Sequence, residues 1–248
     1  MSTRLLLDLG NTRLKWALES GAQRLADGDA LHAELPTLAA RFASLPAPDG
    51  IFGCTVAAPA LREQLDVLCL RAWQQKPRWL QVSKEALGIR NRYRRIEQQG
   101  PDRWAAVLGA SQRHPAQALV IASAGTALTV DSVTADGTFL GGMILPGYRL
   151  MKTALAQGTA RLPDAAGSLH DFPTSTEDAI ETGVLTALAG TVDTAMRRLG
   201  ARGEEPLLLL AGGDAERIAP LLVSPHRIEP DLVLCGLAAL AVAKEFTP

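Results

Sequence analysis

The sequence is poor in the residues that would narrow its function fastest. Its three cysteines, Cys54, Cys69 and Cys235, form no CxxC pair. That argues against a disulfide framework or a zinc site and leaves buried structural thiols as their reading. The four histidines lie far apart, with no HExxH or HxxxH pattern, so no metallohydrolase signature is present. There is no GxxxxGK[ST], no GxGxxG after a strand and no GxSxG elbow, which sets aside P-loop, dinucleotide-binding and α/β-hydrolase chemistry. Lys and Arg (25) nearly cancel Asp and Glu (26), so neither a nucleic-acid partner nor an anionic membrane is expected. No apolar run reaches the length of a membrane span, and Asp8 interrupts the first one too early for a signal peptide. The expected location is the cytoplasm.

What is present begins at Arg4-Leu-Leu-Leu-Asp-Leu-Gly-Asn-Thr12. Three leucines run into Asp8, a Gly10-Asn11-Thr12 turn follows, and alternation resumes through Leu14, Trp16 and Leu18. This reads as a buried strand, a tight turn and a returning strand. Gly10 removes the Cβ where a ligand or another backbone comes close. Asp8 at the end of an apolar run is costly without a partner such as a cation. The turn's amides and the Thr12 hydroxyl can donate to phosphate oxygens, and an Mg²⁺ between them would satisfy Asp8. An ordinary solvated hairpin is the competing reading.

The same shape returns at Leu119-Val-Ile-Ala-Ser-Ala-Gly-Thr126. Aligning Gly125 with Gly10 sets Ser123 against Asp8 and Thr126 against Asn11. Two such turns, half a chain apart in 248 residues, suggest duplicated domains facing each other across a nucleotide cleft. The expected fold is α/β with mixed sheets flanked by helices, divided into residues 1–115 and 116–248.

Between the turns, helices are expected over Leu31–Phe42 and Ala58–Trp73, with short strands at Ile51–Val56 and Trp79–Val82. Residues 88–104 look irregular until Pro101, which opens a helix running to about His114. Asp102 in its first turn would be favoured in its ionised form by the helix dipole; a plain helix-start acid and a surface Arg103 are the competing account. The basic run Arg90–Arg95 reads either as a solvated loop or as an attractor of an anionic substrate. In the second half, residues 157–175 are a candidate mobile loop or lid. A helix from Thr176 to Leu199, a strand Leu207–Ala211 feeding Gly212-Gly213, and an apolar helix Leu232–Glu245 complete the chain.

Asp8-Leu-Gly-Asn-Thr12 resembles the first phosphate motif of the superfamily of actin, the Hsp70 ATPase domain and the sugar kinases. Ala124-Gly-Thr-Ala127 resembles the second, and Gly212-Gly213 the adenosine motif. Tyr93, Gly100-Pro101-Asp102-Arg103, Gly141-Gly-Met-Ile-Leu-Pro-Gly147 and Thr176-x6-Gly183 narrow this to a resemblance to type III pantothenate kinases, some of which are called Bvg accessory factors. The resemblance implies two ribonuclease H-like domains, a homodimer, and ATP-dependent phosphorylation of pantothenate on the way to coenzyme A. It implies Asp102 as general base and Asp8 near Mg²⁺. Gly10, Asn11, Thr12, Lys15, Gly125 and Thr126 would hold phosphates, and Gly212 and Gly213 the adenosine. Tyr93, Gly100, Pro101, Arg103 and Thr176 would form the pantothenate site. The family often has Asp where this chain has Ser123; a hydroxyl adds no charge, so reduced dependence on K⁺ or NH₄⁺ is expected. A phosphatase of the same superfamily and a regulatory ATP-binding protein are the competing readings.

Overall fold

A computed structural model describes residues 2–246. The chain divides into two compact units: one runs to Arg113 and resumes at Asp231, and the other is His114–Pro230.

The first unit opens with the meander β1 (Thr3–Leu9), β2 (Arg13–Ser20) and β3 (Gln23–Leu31). Leu5, Leu7 and Leu9 join Leu14, Trp16, Phe42 and Leu65 in one core, and Leu6 is equally buried on the opposite face. A strand covered on both sides has a continuous apolar run, which is why alternation fails over Leu5–Leu7. The helix expected over Leu31–Phe42 is split into a 3₁₀ turn, His32–Thr37, and α1 (Leu38–Ala43). Pro36 lies inside the 3₁₀ segment and brings no N–H to a helical ladder. Then come β4 (Gly50–Thr55), α2 (Pro59–Trp73) and β5 (Arg78–Trp79), this last shorter than the expected Trp79–Val82. The stretch 88–104, expected to be irregular, instead starts inside a hairpin of β6 (Glu85–Ala86) and β7 (Ile89–Asn91). Its turn places Leu87 and Gly88 both at positive φ, 51° and 77°, the geometry of a tight hairpin without the usual Asn-Gly signal. α3 (Pro101–Arg113) follows.

The second unit comprises β8 (Leu119–Ala124), β9 (Ala127–Val133), β10 (Thr138–Pro146), α4 (Tyr148–Gly158), α5 (Thr176–Gly200), β11 (Leu207–Ala211), the short α6 (Ala215–Ile218) and β12 (His226–Ile228). Its strands lie in the order β12-β11-β8-β9-β10, and those of the first unit in the order β3-β2-β1-β4-β5. Reading each from its third strand gives one pattern: an antiparallel meander on one side of the opening strand and two parallel strands on the other. The duplication seen in two turns therefore extends to whole sheets.

The chain then returns to the first unit with α7 (Leu232–Ala243). This differs from the expected continuous 116–248 division. α7 is apolar almost all round and needs burial on more than one side. α3, buried continuously from Arg103 to Ser111, offers it a face. A Cβ on Gly236 would strike the Ala105 backbone, and one on Gly109 the Leu232 carbonyl, so the two helices touch through bare backbone. Cys54 and Cys69 are buried as expected, but Cys235 on α7 is only half-buried, with Arg113 Nη2 2.8 Å from its sulfur. Among the described residues no helix is long and apolar enough to cross a membrane.

Gly236→Ala should therefore lower the Tm by several degrees, since overpacking of this kind costs ~1–3 kcal/mol. Gly190→Ala, in α5 with nothing within 4 Å of the new methyl, should hold or raise it by helix propensity. A Gly236→Ala protein melting at or above the parent would contradict the close α3–α7 packing.

Candidate active site

β1 delivers Asp8 to the last-but-one position of the strand, opposite Lys15 on β2 and beside Cys54 on β4. Residues paired across a sheet share a face, so Lys15 stands on the same side as Asp8. The turn that follows is closed by the Gly10 amide donating to the Arg13 carbonyl at 3.0 Å, and His32 Nε2 lies 3.0 Å from the Gly10 carbonyl. Asn11 and Thr12 are exposed at the tip. His32 is a brace that sequence reasoning missed; an isolated histidine 22 residues away carries no motif.

Asp102 reaches the same corner from the start of α3. A Cβ on Gly100 would run into the Asp102 carboxylate, so that glycine leaves room for the acid. The Arg103 amide donates to Asp102 Oδ1 at 2.8 Å. Burial raises the Asp102 pKa, and the Arg103 amide and charge oppose it without cancelling it. This corrects the expectation that the helix start would dominate and favour ionisation: desolvation wins. Asp8 keeps a little solvent contact but is crowded by protein on nearly every side. Its pKa rises to about 7, first through that burial and second through the Asp102 charge, against which Lys15 acts in the other direction. Cys54 turns its Sγ to 3.8 Å from Asp8 Oδ1. Burial, then the charges of Asp8 and Asp102, hold its thiol well above the ordinary range.

Arg103 is buried, not the surface residue of the competing account. Its Nη1 donates to the Tyr93 hydroxyl at 3.0 Å, and its guanidinium carbon is 5.8 Å from the Tyr93 ring centre. Tyr93 is fixed in turn by Asn91, whose Oδ1 accepts the Tyr93 amide at 3.0 Å and whose Nδ2 donates to Gln99 at 2.7 Å. Arg90, Arg92, Arg94 and Arg95 are exposed around it. The first unit thus brings Asp8, Lys15 and Asp102 together through their charges, and Arg103 and Tyr93 join Asp102 through the Arg103 backbone.

In the second unit Ser123 occupies the last-but-one position of β8, as Asp8 does in β1. The Gly125 amide donates to the Ala127 carbonyl at 3.0 Å, closing the second turn. Gly147 packs its backbone on that turn, donating to the Thr126 carbonyl at 3.0 Å. Gly212, at φ 92°, lies against the Ala124 backbone where a Cβ would collide, and the Asp214 amide donates to the Ala124 carbonyl at 3.1 Å. Gly125, Thr126, Gly212 and Gly213 are therefore neighbours along the ends of β8 and β11. Thr176 is the first residue of α5, behind the N-cap Ser175. Of the loop expected over 157–175, Gln157 and Gly158 still belong to α4 and residues 159–175 carry no regular structure, with Gly167, Ser168 and His170 held against α5.

Among the described residues no three His, Cys, Asp or Glu side chains converge as a metal cage. One crowded carboxylate at a turn instead suits a magnesium ion that shares most of its ligands with phosphates and water.

The raised pKa of Asp8 has a consequence for stability. The folded state holds the proton more tightly than the unfolded chain, so the cost of ionising Asp8 grows as pH rises from about 4 and is complete above about 7. In the ligand-free protein, the Tm of Asp8→Asn relative to the parent should climb by several degrees between pH 5 and pH 8, at roughly 2–4 °C per kcal/mol. A difference independent of pH would show that Asp8 is not perturbed.

The sequence matches the family model described as type III pantothenate kinase over residues 4–198. It is 44% identical over 240 residues to the type III pantothenate kinase of Chromobacterium violaceum, spanning 96% of this chain and 99% of that one. Among solved structures it resembles a Campylobacter jejuni protein assigned to the Baf family of transcriptional activators, with a TM-score of 0.60 at 22% identity over 97% of this chain and 98% of the other. MreB5 of Spiroplasma citri bound to ADP gives a TM-score of 0.55 at 10% identity, over 99% and 98% of the two chains. These likenesses show the fold: two mixed sheets flanked by helices, in ribonuclease H-like units. With the family match covering most of the chain, and a relative of this identity along nearly its whole length, the protein belongs to the type III pantothenate kinase family.

Proposed function

We propose that this chain transfers the γ-phosphoryl group of ATP to the primary hydroxyl of pantothenate, giving 4'-phosphopantothenate, the first step towards coenzyme A. Beyond family membership, the observation that carries the reading is the Asp102–Arg103–Tyr93 corner. It sets a desolvated carboxylate beside a buried guanidinium that is held by a fixed tyrosine.

In this reading Asp102 accepts the proton of the attacking hydroxyl. A carboxylate with its pKa raised above the ordinary value is a better base near neutral pH. Arg103, planar and rich in donors, faces the pantothenate carboxylate, with Tyr93, Gly100, Pro101 and Thr176 completing that site. Gly10, Asn11, Thr12, Lys15, Gly125 and Thr126 hold phosphates with backbone amides, hydroxyls and one ammonium, and Gly212 and Gly213 hold the adenosine. Asp8 fits the Mg²⁺ that accompanies ATP, because its own crowding disfavours a bare negative charge there. When bound, that ion would supply positive charge beside the transferred phosphoryl group. Ser123 offers a monovalent cation a hydroxyl and no charge, so K⁺ or NH₄⁺ is weakly required. The enzyme works in the cytoplasm as a homodimer.

Purified protein incubated with Mg-ATP should release ADP only when pantothenate is present, and Asp102→Asn should lower kcat by roughly 10²–10⁴-fold. Hydrolysis indifferent to pantothenate would favour the phosphatase, and nucleotide binding without turnover the regulator. Leaving out K⁺ should cost less than about tenfold in kcat/KM, that is, under about 1.4 kcal/mol; a collapse of activity would mean that other groups build the cation site.

A further inference from the structure

α4 and α5 share a buried polar knot to which the phosphoryl-transfer reading gives no role. Lys152 and Glu181 are 5% and 6% exposed, and their ion pair is 2.8 Å long. Tyr148, one helical turn before Lys152, places its hydroxyl 2.9 and 2.7 Å from the two Glu181 oxygens. The Lys152 ammonium donates to Glu181, to the Tyr148 hydroxyl at 3.2 Å and to the Ala165 carbonyl at 2.8 Å. Three donors thus meet three acceptors. Burial alone would pull the lysine's pKa down, but the bonds to Glu181 and Tyr148 outweigh it and leave the pKa raised.

A buried pair of this kind is weak evidence for stability, because apolar residues of similar volume often do as well. What it fixes is geometry, and each member reaches a different element. Tyr148 follows Gly147, whose amide is bonded to Thr126 and whose missing Cβ would strike the Gly125 carbonyl. The Arg217 guanidinium lies 4.9 Å from the Tyr148 ring centre and pairs with Asp214, next to Gly213, at 3.2 Å. Glu181 sits five residues into the helix that Thr176 begins. Ala165 belongs to the irregular stretch, which lies along α5. Gly167 fits against the Glu177 backbone only without a Cβ, the Ser168 amide donates to Asp178 at 2.7 Å, and the His170 amide donates to Thr182 at 3.2 Å.

We propose that Lys152, Glu181 and Tyr148 are positioning residues that hold the 159–175 stretch and the Thr176 end of α5 in register with the Gly125–Thr126 turn, so that the parts of this unit serving alcohol and phosphate are set together. The proposal rests on the assignment of Thr176 to pantothenate made above. Two readouts separate its failure from the failure of that assignment. Amide hydrogen exchange of the ligand-free protein reads the tether whether or not the enzyme turns over, and steady-state kinetics read its consequence. Lys152→Met and Tyr148→Phe are the variants; the second deletes one hydroxyl, keeps the ring beside Arg217, and serves if the first does not fold.

In Tyr148→Phe, exchange over residues 163–170 and the first turns of α5 should quicken about tenfold, and in Lys152→Met, which removes three donated bonds, by more than that, while β8, β9 and β11 stay protected. The KM for pantothenate should rise about tenfold with the KM for ATP changed by less than about threefold, because the phosphate turn keeps its own backbone closure. Unchanged exchange in that stretch overturns the tether. Faster exchange with an unmoved KM for pantothenate overturns the positioning role and leaves the knot as packing alone. If the parent protein does not phosphorylate pantothenate, the assignment of Thr176 fails, and the exchange result by itself supports or overturns the tether.

Discussion

Two carboxylates share one corner of the first unit, and Lys15 beside Asp8 and Arg103 beside Asp102 answer them only in part. Asp8 and Asp102 are both desolvated, and the charge of Asp102 raises the pKa of Asp8 further, against the pull of Lys15. In a low-dielectric setting two like charges cannot both be held comfortably without a cation between or beside them. Much of the fold serves to create this discomfort. β1 is apolar on both faces and carries Asp8 to its end, Gly100 clears the space Asp102 occupies, and α7 packs on α3 through bare backbone at Ala105 and Gly109. A ligand that arrives with positive charge beside its phosphates is what such a corner lacks.

The second unit repeats the scaffold but not the charge. Its sheet has the order of the first, and Ser123 stands where Asp8 does. Across the sheet from Ser123 lies Thr129 in place of Lys15, and on the parallel side Ala211 in place of Cys54. The row that carries an acid, an ammonium and a thiol in one unit carries two hydroxyls and a methyl in the other. The second copy is instead closed by backbone bonds and close-packed glycines around Gly125, Gly147 and Gly212. The charges of that copy's buried knot, Lys152 and Glu181, pair with each other at 2.8 Å.

How much of this was legible follows the range of the interactions involved. Strand, glycine turn and returning strand are local, and both copies could be read from residues a few positions apart. The same holds for Pro101 opening α3 just before Asp102. The β6–β7 hairpin escaped because Leu87 takes a left-handed conformation usually signalled by Asn or Gly. α7 reads as apolar, but its partner α3 lies more than a hundred residues earlier. The order of effects on Asp102 was also beyond the sequence: a helix dipole and an adjacent Arg are visible in the letters, while the depth of burial that outweighs them is not. Tyr148 and Lys152 show helical spacing, yet nothing near them announces Glu181, 29 residues further on. Spacing alone left Arg103 open between a surface residue and a site residue, and its burial excludes the first.

The central claim is that Asp8 and Asp102 form a desolvated, mutually repelling pair before any ligand binds. Carboxyl-carbon NMR titration of the ligand-free protein, with the two resonances assigned through Asp8→Asn and Asp102→Asn, measures this directly. The account predicts an Asp8 titration near pH 7 and an Asp102 titration above the ordinary carboxylate range, with the Asp8 midpoint falling when Asp102 is made neutral. Two independent titrations at the ordinary value of about 3.9 would contradict it.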